Sequence, residues 1–185
     1  MDVATADRFF ALMTLLTLGG VAGSVALRSF AGRLPPAARL DRSIWTLVGP
    51  IALWLAWLVA LVSLLGSLYY SEIVGYPPCS LCWYQRIAMY PLVVILAVAA
   101  WDDDREVRRY ALPLAGVGGA FALYQYVLGY FPDTEILGCT LDVSCTERYV
   151  WEFGFVDFPF MSLVAFLAIG ALLLFPLTRP EGTHE

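Results

Sequence analysis

The four cysteines of this chain form two close pairs, Cys79-x-x-Cys82 and Cys139-x5-Cys145. Such pairs can form local disulfides, bind zinc as thiolates or carry out thiol–disulfide exchange. As structural crosslinks, rings this small would contribute only about 2 to 2.5 kcal/mol in the chain-entropy model. The x5 spacing of the second pair is not a usual zinc spacing. Redox exchange is therefore the favoured interpretation, and the structural and zinc alternatives stay open.

The residues around the first pair support redox chemistry. Pro77 and Pro78 cannot extend a helix backwards, so a helix is expected to begin near Cys79. A thiol at a helix N-terminus feels the positive end of the helix dipole and ionises more readily. Arg86 lies one turn beyond Cys82 on the same helix face, where its charge would favour the Cys82 thiolate. It could also donate a hydrogen bond to a quinone carbonyl, or simply be an interfacial arginine whose head reaches water.

Most of the chain consists of apolar stretches that bear few or no charges. Apolar residues make up 60% of the chain and charged residues only 15%, which is typical of a membrane protein. A helix needs about 20 apolar residues to cross a bilayer, and an open strand would leave its amides unpaired in lipid. We therefore predict an all-α integral membrane protein with helices over 9–27, 44–71, 81–101, 111–132 and 158–178. Small residues in these spans suit close helix contacts; they are Gly19, Gly20, Gly23, Gly116, Gly118 and Gly119.

The arginines predict the orientation of these spans. Eight of the eleven cationic residues fall in segments that share one side of a five-span topology: Arg28, Arg33, Arg39, Arg42, Arg105, Arg108, Arg109 and Arg179. The positive-inside rule makes that side cytoplasmic. The N-terminus and both cysteine pairs are then outside, where disulfides persist, and the C-terminus is cytoplasmic. Because Asp2 and Asp7 flank Arg8, the first span is expected to be a retained helix rather than a cleaved signal.

Several other classes of function are disfavoured by the sequence. The net charge is −5 and no basic patch with interleaved aromatics is present, so nucleic acid is not expected as a partner. The only histidine, His184, lies in the polar tail, so no metal site is predicted. The alternating aromatic residues of 149–158 suggest a segment at the membrane interface, which could hold the second cysteine pair within reach of Cys79.

Around the cysteines the sequence resembles the DsbB family of thiol:quinone oxidoreductases, and in particular its short BdbC-like branch. The matching stretches are residues 65–73 (LGSLYYSEI), 78–87 (PCSLCWYQRI) and 153–160 (FGFVDFPF), together with the Cys139 and Cys145 pair. The resemblance extends over about residues 53–175. A bare C-x-x-C is a weak signal, whereas C-x-L-C-x-x-Q-R at the start of a membrane helix with a second external pair is specific.

The resemblance implies a four-helix transmembrane bundle, a bound quinone (menaquinone or ubiquinone) and a DsbA-like thioredoxin-fold thiol oxidase as partner. It assigns Cys79 and Cys82 to the quinone-proximal pair, Arg86 to quinone contact, and Cys139 and Cys145 to the pair that meets the partner. Which of the latter two is attacked first stays open. The extra N-terminal helix is a departure from the family pattern. The domains expected are 1–43 (extra helix and Arg-rich cytoplasmic linker), 44–178 (bundle) and 179–185 (polar cytoplasmic tail).

The function expected is therefore reoxidation of an extracytoplasmic disulfide donor, with electrons passed to a membrane quinone. The alternative from another class is a non-enzymatic membrane assembly or adaptor protein with structural external disulfides. A vitamin K epoxide reductase-like enzyme would share the chemistry, but its C-x-x-C normally falls late in the bundle.

Overall fold

The computed structural model describes residues 2–31, 33–132 and 144–174. These ranges contain six α-helices and, within them, no β-strand. The helices are α1 (Val3–Ala31), α2 (Pro35–Val48), α3 (Ala52–Leu68), α4 (Ser80–Asp102), α5 (Arg108–Leu128) and α6 (Phe158–Leu174). A 3₁₀ turn at Gly49–Ile51 joins α2 to α3, a π-helical turn at Tyr69–Ile73 follows α3, and a second 3₁₀ turn at Arg105–Val107 precedes α5.

The helices have the lengths and surfaces of membrane spans. In the described part of the chain, four helical runs are long and apolar enough to cross a bilayer: Val3–Ala31, Pro35–Ile73, Ser80–Asp102 and Arg105–Leu128. The 17 residues of α6 extend about 26 Å at 1.5 Å per residue, close to the roughly 30 Å of a hydrocarbon core. Large apolar side chains cover the outside, including Leu16 at 71% exposure and Val94 at 64%. Such a surface suits lipid rather than water, so the chain is a multi-pass membrane protein.

Helices α3 to α6 form a closed four-helix bundle. Each packs against its neighbours in the chain, and α6 returns to contact α3. Leu92, Leu96 and Ile169 are fully buried between them. At the closest crossing, a Cβ atom built on Gly118 of α5 would overlap the ring of Phe166 of α6. Small residues let membrane helices approach in this way. Helix α1 lies outside the ring, against α6 and α2.

The helix bounds agree with the predicted spans most closely for α4. The first span is longer than predicted, and the fourth begins and ends earlier. Residues 175–178 of the fifth span lie outside the described residues. The Arg-rich segment after α1 is largely helical, with Pro35 at the first position of α2, where proline is favoured. The boundary predicted between residues 43 and 44 falls within α2.

The prediction for the glycines is confirmed for Gly118 and Gly119 of α5, and it is wrong for Gly116 of α5 and for the three glycines of α1. Gly118 lies at a close helix crossing, and Gly119 is in ordinary contact with Phe166. By contrast, a Cβ atom on Gly19, Gly20, Gly23 or Gly116 would have no neighbour within 4 Å. These glycines face open space on the helix surface, so they do not mediate packing among the residues that the structure describes.

Candidate functional site

The first cysteine pair lies at the start of α4, as the prolines predicted. Cys79 is the N-cap residue, with extended backbone (φ −74°, ψ 172°), and helix α4 begins at Ser80. The Cys79 sulfur accepts a hydrogen bond from the backbone N–H of Cys82 at 3.4 Å. The thiol therefore takes the role that a serine or aspartate oxygen often has at this position. This contact places both sulfurs at the same end of α4.

Cys79 and Cys82 are free thiols in close contact. Their Sγ atoms are 2.8 Å apart, and neither is in a disulfide. Cys79 is buried and Cys82 half-buried. Since a disulfide has an S–S length of about 2.05 Å, a small shift would allow the pair to bond. The site can therefore exist as a dithiol or as a disulfide without rebuilding the helix start.

Gln125 of α5 connects the first pair to the segment that carries Cys145. Its Nε2 lies 3.2 Å from the Cys79 sulfur, 3.5 Å from the Cys82 sulfur and 3.4 Å from the Cys145 carbonyl oxygen. Its Oε1 accepts a hydrogen bond from Gln85 Nε2 at 2.6 Å, which fixes the orientation of the amide. Negative charge that forms on either sulfur during exchange would meet this shared donor.

Gln125 was not among the predicted site residues, although the sequence contains a signal for it. It is the only side-chain amide in the predicted span 111–132, and it is 5% exposed. A buried polar side chain within a membrane helix is a candidate functional residue, because lipid offers it no partner.

Cys145 lies beside the first pair and is disulfide-bonded. It is buried in a cluster with Cys79, Leu81 and Leu128. Cys139, the predicted partner, lies outside the described residues. Within the described ranges, no group of three or more His, Cys, Asp or Glu side chains is arranged to hold a metal ion.

Arg148 fastens the Cys145 segment to the end of α5. Its guanidinium carbon lies 4.1 Å from the ring centroid of Trp151 and 4.6 Å from that of Tyr130. One Nη2 hydrogen is donated to the Gly129 carbonyl at 2.7 Å. A cation between two aromatic faces combines electrostatic attraction with apolar contact. The arginine thus ties the loop to the helix that carries Gln125.

The rest of this segment is a tight turn that leads into α6. Glu152 and Val156 form an isolated bridge, and Phe153 (φ 53°) and Gly154 (φ 80°) reverse the chain between them. Asp157 accepts a hydrogen bond from the N–H of Phe160 at 3.0 Å and so caps α6. Burial raises the pKa of the Asp157 carboxyl, while this bond and the nearby Arg148 oppose the shift. Membrane contact of the turn remains a prediction.

Arg86 is buried against α3 and is only 8% exposed. Its Nε donates to the Ser67 hydroxyl at 2.9 Å, and its Nη2 donates to the Ser67 carbonyl at 3.0 Å. The guanidinium carbon also lies 5.3 Å from the Trp83 ring centroid. An arginine has five N–H donors, so these contacts within the described residues leave donors for a ligand. The guanidinium is held between helices, which does not match the alternative of an arginine that reaches water.

A cavity of about 310 Å³, here called the thiol cavity, connects these groups. Cys79, Cys82, Gln125 and Arg86 line it, together with apolar residues of α1, α3, α4 and α6. This is the volume range of small-molecule sites, which are mostly apolar with a few placed polar groups. The structure thus brings four of the predicted or newly found site residues to one pocket inside the membrane-spanning bundle.

Comparison with known proteins agrees with this arrangement. The family described as "Disulfide bond formation protein DsbB" matches residues 50–176. The chain belongs to the DsbB family. The match includes α3 to α6 and begins after α1 and α2. Membership supports a membrane role in disulfide-bond formation.

Individual relatives share nearly half of their aligned residues with this chain. "Probable disulfide formation protein C 2" of Bacillus anthracis is 44% identical over 128 residues, 69% of this chain and 91% of that protein. "Disulfide bond formation protein C" of Bacillus subtilis is 44% identical over 120 residues, 64% and 87% of the two chains. "Probable disulfide formation protein" of Chlamydia muridarum is 46% identical over 127 residues, 66% and 90%. No solved structure gives a significant match.

Proposed function

We propose that this chain is a protein-dithiol:quinone oxidoreductase. It reoxidises an extracytoplasmic, DsbA-like thioredoxin-fold protein and passes two electrons to menaquinone or ubiquinone in the membrane. The observation that carries the proposal is the contact of Gln125 with Cys79, Cys82 and the Cys145 backbone, beside the thiol cavity. The relatives are named as disulfide formation proteins, which supports the thiol side of the reaction.

The proposed relay consists of two thiol–disulfide exchanges. A thiolate of the reduced partner attacks the Cys139–Cys145 disulfide at Cys139, and the partner's second thiolate resolves the mixed disulfide. The partner leaves as a disulfide, and Cys139 and Cys145 become thiols. They then reduce a Cys79–Cys82 disulfide and return to their own disulfide. One S–S bond breaks and one forms in each exchange.

The residues of the thiol cavity fit a quinone as the final acceptor. Its apolar walls suit a quinone ring with a hydrocarbon tail, and Arg86 retains donors for a ring carbonyl. Cys82 lies one turn from Arg86 on the same helix and lines the same cavity, so its sulfur would be near a ligand held by Arg86. When bound, a quinone would supply the two-electron oxidation, so that Cys79 and Cys82 would give up two electrons and two protons and form their disulfide again. The chain's contribution is to hold the sulfurs and the guanidinium in place.

The proposed location is the cytoplasmic membrane, with both cysteine pairs on the extracytoplasmic side. Cys79 precedes the first residue of α4, and Arg105, Arg108 and Arg109 follow its other end. The arginine-rich end would face the cytoplasm by the positive-inside rule.

An anaerobic turnover assay tests the proposal. The purified full chain is mixed with a reduced DsbA-like protein and decylubiquinone or a short-chain menaquinone, and quinone absorbance is followed. We expect one quinol for each disulfide formed in the partner. Cys82→Ser should lower the rate to the background without protein, because the first pair can no longer become a disulfide. If the wild-type chain forms no quinol with either quinone, the enzymatic proposal is wrong.

The same variant separates an enzyme from an adaptor with structural disulfides. An adaptor should support disulfide formation in cells equally well with Cys82→Ser, whereas the enzyme should not. The placement of both sulfurs beside Gln125 and in the wall of the thiol cavity supports the enzyme.

A further inference from the structure

The thiol cavity is walled on one side by α1, the helix that precedes the family match. Phe10, Met13, Thr14 and Thr17 all line the cavity. Their spacing of three, four and seven residues places them on one face of the helix. This face extends over about 10 Å of helix length. The wall therefore runs from the thiol end of the bundle into the membrane.

Side-chain contacts fasten α1 to the bundle beside this wall. Asp7 Oδ1 accepts a hydrogen bond from the Tyr70 hydroxyl at 2.7 Å. The ring of Phe10 fills the space beside Gly66, where a Cβ atom would lie 3.1 Å from Phe10 Cε1. Ala6 and Ala11 are fully buried. These contacts fix the register and distance of α1 at the level of the cavity.

The tight packing of α1 is concentrated in this half of the helix. The buried residues of α1 are Ala6, Ala11 and Thr14. Farther along, Gly19, Gly20 and Gly23 have open space where a Cβ atom would be. Helix α1 thus makes its closest contacts where it borders the thiol cavity.

The surface that α1 offers to the cavity is effectively apolar. The Thr14 hydroxyl donates to the Phe10 carbonyl and the Thr17 hydroxyl to the Met13 carbonyl, both at 2.8 Å. A threonine hydroxyl that donates to its own helix backbone in this way has no hydrogen left to donate to a ligand in the cavity. Phe10 and Met13 contribute a ring and a flexible thioether. Such a wall suits hydrocarbon better than a polar ring substituent.

We propose that α1 forms the outer wall of the quinone site and binds the side chain of the quinone next to the ring. The inference rests on the proposed function. It assigns Phe10 and Met13 as specificity-determining residues, which distinguish quinones that carry an isoprenoid or alkyl tail from tailless ones. Arg86 and Cys82 would recognise the ring in both cases.

Kinetics with two quinones test this assignment. Met13→Ala and Phe10→Ala should each raise the KM for decylubiquinone by roughly 10-fold, as expected for lost apolar contact in a pocket. The KM for tailless ubiquinone-0 and the KM for the thiol partner should change much less than the KM for decylubiquinone. Leu16→Ala is the matched control, because Leu16 belongs to the same helix and is 71% exposed. Unchanged KM values for decylubiquinone in both wall variants would overturn the assignment.

Photolabelling of the wild-type chain gives a readout that does not depend on turnover or on variant folding. Cleavage at arginine releases residues 9–28, which contain the α1 wall, separately from 43–86 and 87–105. A quinone with an azido group on its tail should label 9–28. Label confined to 43–86 and 87–105 would overturn the α1 wall and leave the proposed function standing. A wild-type chain that neither reduces quinone nor takes up label overturns both.

Discussion

At the scale of single residues, the first cysteine pair shares one hydrogen-bond donor, the side-chain amide of Gln125. Among the residues that the structure describes, Gln125 places its side-chain Nε2 within 3.5 Å of both sulfurs of the pair and of the Cys145 carbonyl oxygen. Hydrogen bonds to charged groups contribute about 1.5–3 kcal/mol each, more than neutral ones. A thiolate that forms on Cys79 or Cys82 during exchange therefore has a positioned partner. Gln85 keeps that partner oriented by bonding its oxygen.

Replacing this amide should slow exchange between the cysteine pairs. Gln125→Leu keeps the approximate size but removes the donor, so transfer to the Cys79–Cys82 pair should slow roughly 10- to 150-fold. The rate is measured by mixing oxidised protein with reduced partner and trapping thiols with a maleimide of resolvable mass. Leu123→Ala, at a 49% exposed position of the same helix, serves as the control. Equal transfer rates in Gln125→Leu and wild-type protein would show that the amide has no role in exchange.

At the scale of helices, α5 and α6 approach closely because the residue of α5 at their crossing, Gly118, has no side chain. Gly118 lies against the ring of Phe166, which is 2% exposed, whereas Gly116 on the same helix has open space around it. This crossing supports the site, because α5 carries Gln125 and α6 contributes to the thiol cavity. Overpacking of such a contact displaces a buried ring, which has few alternative positions in a close-packed interior.

Alanine at the two glycines should therefore have opposite effects. Gly118→Ala should reduce the free energy of unfolding by about 1–3 kcal/mol through overpacking. Gly116→Ala should leave it unchanged or raise it by up to about 1 kcal/mol, because alanine has the higher helix propensity. The measurement is unfolding by SDS titration in mixed micelles. Equal stabilities of the two variants would mean that Phe166 moves aside without cost.

At the scale of the whole molecule, the chain separates its sulfur chemistry from most of its positive charge. Cys79 and Cys145 meet at one end of the bundle, and the turn between α4 and α5 carries Arg105 at the other. The separation follows from the up-and-down connection of the helices. In the proposed relay, this separation lets an external thiol partner and a membrane quinone reach the same site from different phases.

The orientation can be measured with single cysteines. With all four native cysteines replaced by serine, Ser144→Cys should react with a membrane-impermeant maleimide in intact spheroplasts. Asp103→Cys should react only after permeabilisation. Both positions are exposed, so access depends on the side of the membrane. The reverse labelling pattern would place the relay in the cytoplasm and contradict the proposed orientation.

The sequence by itself determined the features that depend on local chemistry. Long apolar runs require helices in lipid, so the membrane-spanning class and the four helices of the bundle were predictable. Pro77 and Pro78 predicted that α4 begins beside Cys79, because proline has no backbone N–H and is disfavoured in the interior of a regular helix. Arg86 was identifiable from its spacing to Cys82, although its hydrogen bonds to Ser67 were not.

Only the tertiary structure decided which helix faces meet. Gln125 lies 43 positions from Cys82 in the chain, and no local pattern reports that their side chains share a hydrogen bond. In the same way, Gly19 and Gly118 look equally suited to packing, yet only Gly118 meets a buried ring. The placement of α1 beside the thiol cavity likewise depends on distant pairs such as Tyr70 and Asp7, whose hydrogen bond no local pattern predicts. Periodicity fixes the faces of one helix, whereas pairing depends on how side chains from distant segments fit together.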